Sequence, residues 1–137
     1  MKKIPILLLL MAISFQVFAQ KKTDKKADIV VQKQDTIRIA NDSLEYEIII
    51  IEVGFDSWLV TQRPKEFFSE SFLETRNRFY VQTYNQRVLE PQRYDPNLYF
   101  QQINYEPNIH YGLDVNYLLY MYFEYFQKKY KQNLRYY

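Results

Sequence analysis

The chain has no cysteine, one histidine, one tryptophan and two glycines in 137 residues. Without cysteine there are no disulfides, so a core must hold without covalent staples. The same lack rules out structural zinc, and a lone His110 leaves oxygen ligands as the main metal donors. It also leaves no acceptor for an N-terminal lipid, so the chain is not expected to be a lipoprotein. With Gly54 and Gly112 as the only glycines, phosphate-cradling loops and a strained serine elbow are excluded. No stretch carries a specific catalytic signature, and no cofactor and no metal are expected.

What is present begins with the first nineteen residues. Lys2-Lys3 forms a positive head, Ile4 to Phe15 is almost unbroken apolar sequence, and Val17-Phe18-Ala19 closes it. This layout is that of a secretory signal peptide at residues 1–19, with cleavage expected after Ala19. As a helix the apolar run would reach only about 18 Å against a hydrocarbon core of about 30 Å, too short for a span. The expectation is an exported protein, periplasmic or envelope-associated, with no membrane span after cleavage. Losing Lys2 and Lys3 leaves 16 basic and 16 acidic side chains, so the precursor's net charge of +2 gives no case for nucleic acid.

Residues 20–34 carry five lysines against two aspartates and read as a basic disordered tether. Residues 35–137 read as one α+β domain. All 14 tyrosines lie at or beyond Tyr46, and such half-polar rings suit wet edges and interfaces.

Alternation at Thr36–Ile39, turn residues at 40–43 and a strand-like run from Leu44 to Val53 predict a β-hairpin. Four consecutive isoleucines, Ile48 to Ile51, make both faces of its second strand apolar, so cover is expected on both sides. Phe55–Gln62 reads as a short helix with Asp56 as N-cap, ended by Arg63-Pro64. A second helix starts near Ser69 or Ser71, where Ser71-x-x-Glu74 fits a capping box, and ends before Pro91. Projected at 100° per residue, it places Ser71, Glu74, Arg78, Gln82 and Asn85 on a polar arc. Phe72, Leu73, Phe79, Tyr80, Tyr84 and Val88 form the apolar arc, within which Arg76, Asn77, Thr83 and Arg87 are out of place. Asp95-Pro96 predicts a short helix to about Gln102. A final helix is expected from Leu113 to Asn133, with Val115, Leu119, Tyr122, Phe123 and Phe126 inward and Glu124 and Lys128 in solvent. The architecture is thus a short antiparallel β-hairpin packed against two long aromatic-rich helices, with smaller connecting helices.

Arg76 and Arg87 lie about 16 Å apart along one helix face. Each either pairs internally with a carboxylate, tethering an element to the helix, or contributes to an anion pocket. Tyr117, Met121 and Tyr125 sit off the core stripe of the last helix and, with Arg135-Tyr136-Tyr137, offer a surface for an envelope protein or a glycan. The favoured function is a non-enzymatic binding or structural module using these aromatic and Arg-bearing surfaces. The alternative is a small hydrolase acting on envelope glycan or peptide polymers through Glu and His110. A third reading is a calcium-supported module using Asp95, Glu106 and Asp114. Thr36 and Ser43 fall in Asp-Thr-Ile and Asp-Ser-Leu triplets that match a bacterial O-glycosylation pattern.

Several pieces occur in a familiar order: Leu44-Glu45-Tyr46-Glu47-Ile48-Ile49, Gly54-Phe55 with Trp58-Leu59, Asn77, Tyr80-Val81, Asn85 and Arg87. Ile103-x-Tyr105 and Tyr111-Gly112-Leu113-x-Val115-Asn116-Tyr117-x-Leu119 follow. Over about residues 36–131 this order resembles a domain-of-unknown-function family of small exported Bacteroidota-type proteins. The resemblance implies export to a bacterial envelope compartment and carries over no catalytic residue. Some relatives look like lipoproteins, from which this chain departs by lacking the cysteine.

Overall fold

The computed structural model describes residues 36–135. The signal segment and the tether at residues 20–34 lie outside these residues, as do Tyr136 and Tyr137.

Strand β1 (Thr36–Asn41) pairs antiparallel with β2 (Tyr46–Ile51), Ile37 facing Ile50 and Ile39 facing Ile48. Alternation puts Ile37, Ile39, Tyr46, Ile48 and Ile50 on one face. That face meets the helices, and Ile37 and Ile39 are buried in the core. A single 3-10 turn at Asp42–Leu44 joins the strands, closed by Glu45 in the left-handed region (φ 52°). The other face remains uncovered among the described residues. Ile49 is 61% and Ile51 69% exposed, contrary to the two-sided cover that four isoleucines led us to expect.

Gly54 (φ 84°) turns the chain out of β2 into α1 (Phe55–Leu59). The positive φ favours glycine there, and a Cβ would meet Tyr125 Oη at 2.9 Å, so that hydroxyl would have to shift. Gly54 takes the N-cap position expected of Asp56, which falls in the first turn, and the helix stops at Leu59 rather than Gln62.

Helix α2 (Glu70–Val88) is capped by Ser69, whose Oγ accepts from Phe72 N–H at 3.3 Å. Its buried residues are Leu73, Glu74, Asn77, Tyr80, Val81, Thr83 and Tyr84. The inward face is therefore turned toward Glu74 and Val81 relative to the arc drawn from hydrophobicity. Phe79, placed on the apolar arc, is 55% exposed, and Phe72 lies at its edge. The reason is polar anchoring: Asn77 has its partner, Asn116, across the helix pair and Glu74 has His110 in the loop before the last helix, which a hydropathy count does not see.

Helix α3 (Leu113–Lys129) runs against α2, β1 and α1. Val115, Leu119, Tyr122, Phe123 and Phe126 are buried as expected. The helix ends earlier than Asn133, because Lys131 adopts φ 52° and Gln132 N–H returns to the Gln127 carbonyl at 3.0 Å. This reversal sends Leu134 into the core. Glu124, expected in solvent, is drawn in by Tyr80 Oη and Arg135.

Residues 89–112 form no helix or strand. The helix expected after Asp95 is one turn only: Asp95 Oδ1 accepts from Asn97 N–H, and its carbonyl accepts from Leu98 and Tyr99. Side chains hold the rest in place. Asn85 Nδ2 donates to the Ile103 carbonyl and Ile103 N–H donates to Asn85 Oδ1, both at 2.8 Å, so one amide replaces a neighbouring strand. Tyr46 Oη donates to the Asn104 carbonyl, and Asn41 Nδ2 to that of Tyr111. No described helix is long and apolar enough to cross a membrane.

Candidate functional site

The residues singled out in sequence do not converge. Arg76 is exposed, its guanidinium 5.6 Å from the Phe72 ring centre. Arg87 instead ties elements to α2, donating to Tyr99 Oη at 2.8 Å and to the Asn133 carbonyl at 2.6 Å, with the Tyr94 ring 4.9 Å away. The two arginines share a helix face but only the C-terminal one is covered, since residues 94–99 and 133 pack at that end. No anion pocket joins them.

Tyr117 and Tyr125 are half-buried buttresses. Their hydroxyls donate at 2.7 Å to the carbonyls of Arg63 and Val53. Tyr125 stacks edge-on against Phe55 and beside Trp58. Met121 is only 4% exposed, which corrects its placement on an outer surface. It underlies a pocket of about 320 Å³ that also involves Trp58, Phe68 and Tyr120.

His110 does meet a carboxylate. Its ring is 79% exposed, and Nδ1 lies 2.8 Å from Oε1 of Glu74, a residue assigned to solvent from the sequence but buried here. Neither residue lines the two cavities described here. Asp95, Glu106 and Asp114 form no metal cluster; among the described residues no three His, Cys, Asp or Glu side chains converge. Asp114 is engaged by Lys65, and Asp95 caps its own turn.

Polar chemistry is concentrated between α2 and α3. Asn77 Nδ2 donates to the carbonyl and Oδ1 of Asn116, whose Oδ1 also accepts from Tyr105 Oη and whose Nδ2 donates to Gly112. Burial pushes the Tyr105 phenol up to about 12, with the Glu74 charge adding to it. This network joins three segments without a cavity that would admit a substrate.

The larger cavity lies along β2. About 480 Å³ in volume, it lies between the strand and residues 97–104, over Tyr84, Tyr122 and Phe126. Every residue from Glu47 to Glu52 lines it. Neighbouring strand residues point to opposite faces, so a cavity touching all six must run beside the strand's edge rather than over one face. That edge has no strand partner among the described residues, because β2 pairs only with β1. Phe100, 73% exposed, stands at the rim. Among the described residues the only charged ones lining it are Glu47 and Glu52. Glu52 is buried and accepts from Lys129 Nζ and Tyr130 Oη; Glu47 accepts from Arg38. Burial raises the Tyr84 phenol to about 12 and Tyr122 further, so the cavity's hydroxyls are neutral at physiological pH. Of these groups, the sequence signalled the isoleucine run and the inward Tyr84, Tyr122 and Phe126, but not that they would border one cavity. Phe100, Leu98 and Ile103 are more than forty residues from β2, and nothing local announces the meeting.

No curated protein and no solved structure matches the chain. One family does, over residues 6–136, nearly the full length. The chain therefore belongs to the family of unknown function DUF6146.

Proposed function

We propose that the protein is an exported, envelope-associated binding module without catalysis of its own, and that it holds a protein partner in the groove beside β2. The observation that carries this reading is the uncovered isoleucine strand opening onto a cavity of about 480 Å³. Burying a side chain such as Ile49 in a partner is worth roughly 1.5–3 kcal/mol, and contiguous apolar patches of this kind mark interaction sites. The aromatic surface at Tyr117 and Tyr125 is a supporting wall rather than the contact, since its hydroxyls are already engaged.

Export is tested by fractionation and by the mature N-terminus, expected at Gln20. Binding is tested by photo-crosslinking in the envelope fraction from a probe at position 100. An adduct is expected at the groove, lost with an excess of unlabelled protein but not of the Ile49→Ser/Phe100→Ala form. Equal competition by both forms places the contact elsewhere.

One observation favours a second reading, hydrolysis: the Glu74 carboxylate holds Nδ1 of His110 while the ring is largely exposed. Under it, His110→Ala abolishes turnover of an envelope glycan or peptide polymer. Under the binding reading no such turnover exists to lose.

A further inference from the structure

Resting on the binding reading above, the geometry points to the ligand's chemical class: we infer that the groove takes an extended polypeptide segment, added as a third strand to the outer edge of β2. Three observations converge on it.

The first is the backbone. β2 spans six residues, about 20 Å of strand. Its outer edge presents alternate N–H and C=O groups with no hydrogen-bonding strand among the described residues. A glycan or an acyl chain lacks donors and acceptors at that repeat; a polypeptide has them, which is the basis of recognition by strand addition.

The second is the disposition of side chains around the edge. Ile48 and Ile50 line the cavity from the core face, and Ile49 and Ile51 from the outer face. An added strand sends alternate residues to the same two faces. One set enters the space over Tyr84, Tyr122 and Phe126. The other set lies beside Ile49 and Ile51 on the outer face. In self-pairing with a second copy, the copy's Ile48 and Ile50 are already packed against its own core and cannot enter the space over those rings, which disfavours that occupant.

The third is charge. Glu47 and Glu52 stand near the two ends of β2, and among the described residues no cationic side chain lines the groove. Among the described residues Glu52 Oε2 accepts from Tyr130 alone, at 3.2 Å, and Glu47 engages Arg38 through Oε1, so each keeps acceptor capacity. The fitting segment therefore alternates aliphatic residues between flanking lysines or arginines.

The experiment uses the full protein and a blocked heptapeptide, Lys-Thr-Val-Ile-Val-Thr-Lys, titrated calorimetrically. Two N-methylated forms are titrated in parallel, methylated at odd or at even positions, which removes the donors of one peptide edge and preserves the side chains. Strand addition predicts saturable binding, a loss of about tenfold or more for one methylated form, and a much smaller loss for the other. It also predicts slowed amide exchange at alternate residues of Glu47–Ile51, and weakened binding in Phe100→Ala, an exposed position whose change leaves folding intact. Equal binding of all three peptides, sensitive to Phe100→Ala, overturns strand addition and leaves the groove as the site. Binding of an anilinonaphthalene dye at the groove without any peptide binding does the same. Failure of dye and peptides alike removes the groove reading as well. A dimer whose β2 amides are protected without peptide overturns the inference in favour of a second copy.

Discussion

Two sides of one small domain invert the usual placement of side chains. Between α2 and α3, Asn77 and Asn116 are fully buried, joined to each other, to Tyr105 and to Gly112. Along β2, Ile49 and Ile51 stand in water. Buried amides are tolerated where nearly every donor and acceptor finds a partner; Asn77 Oδ1 is the one buried side-chain atom without one among the described residues. Exposed isoleucines gain nothing in the isolated chain. The first side is thus built for internal cohesion, and the second is left uncovered by the described residues.

That contrast can be broken most directly by truncating one isoleucine from each face of the hairpin. Ile39→Ala, at a fully buried position on the core face, is expected to cost about 2–5 kcal/mol in denaturant unfolding. Survival with a loss below 1 kcal/mol would show that the hairpin is not integral to the core. Asn116→Ala should follow closely, at about 2–3 kcal/mol, because it strips Tyr105 Oη and one bond of Asn77 of their partner in a buried setting. A neutral result would mean that water reaches the network.

The phenols sharpen the contrast through pH. Tyr84 and Tyr105 rise from 10.0 to about 12 in the folded state, mainly because burial disfavours the phenolate. The unfolded chain releases these protons first, so their contribution is intact below pH 10 and is lost as pH climbs from 10 to 12. The loss is about 2–3 kcal/mol per phenol as an upper limit. Melting temperature should drop through that window, less in Tyr105→Phe; a flat profile contradicts the burial. The smallest effect belongs to the open face. Ile49→Thr and Ile51→Thr should each change stability by about 0.5 kcal/mol or less. Should either cost as much as Ile39→Ala, a part of the chain outside residues 36–135, or a second copy, covers that face.

The elements themselves were readable because their periodicities are local. Alternation gave β1 and β2, and the 3.6-residue repeat gave α3 with its inward Val115, Leu119, Phe123 and Phe126. Helix α2 was readable in extent but not in rotation. Glu74 scored as solvent-facing until His110, 36 residues on, met it. Asn85 scored as surface until it clasped Ile103. Polar residues are ambiguous on a helical wheel, since a satisfied one lies as comfortably inside as outside. The stretch after Asp95 was over-read as helix: its Asn97–Tyr99 hydrogen bonds suffice for one turn, and later residues are committed to Asn85 and Tyr46.

By itself the sequence settled the two strands and the two long helices, that no disulfide could brace them, and that four consecutive isoleucines would lie on one strand. It did so because hydrophobic spacing and residue chemistry act over a few positions. Where those isoleucines would find company was decided by tertiary structure. Residues 97–104 approach β2 from the core side, the outer face is left bare, and the strand's edge opens onto the groove between them. Such a groove exists only once segments some fifty residues apart are packed, and no local pattern encodes the space left between two of them.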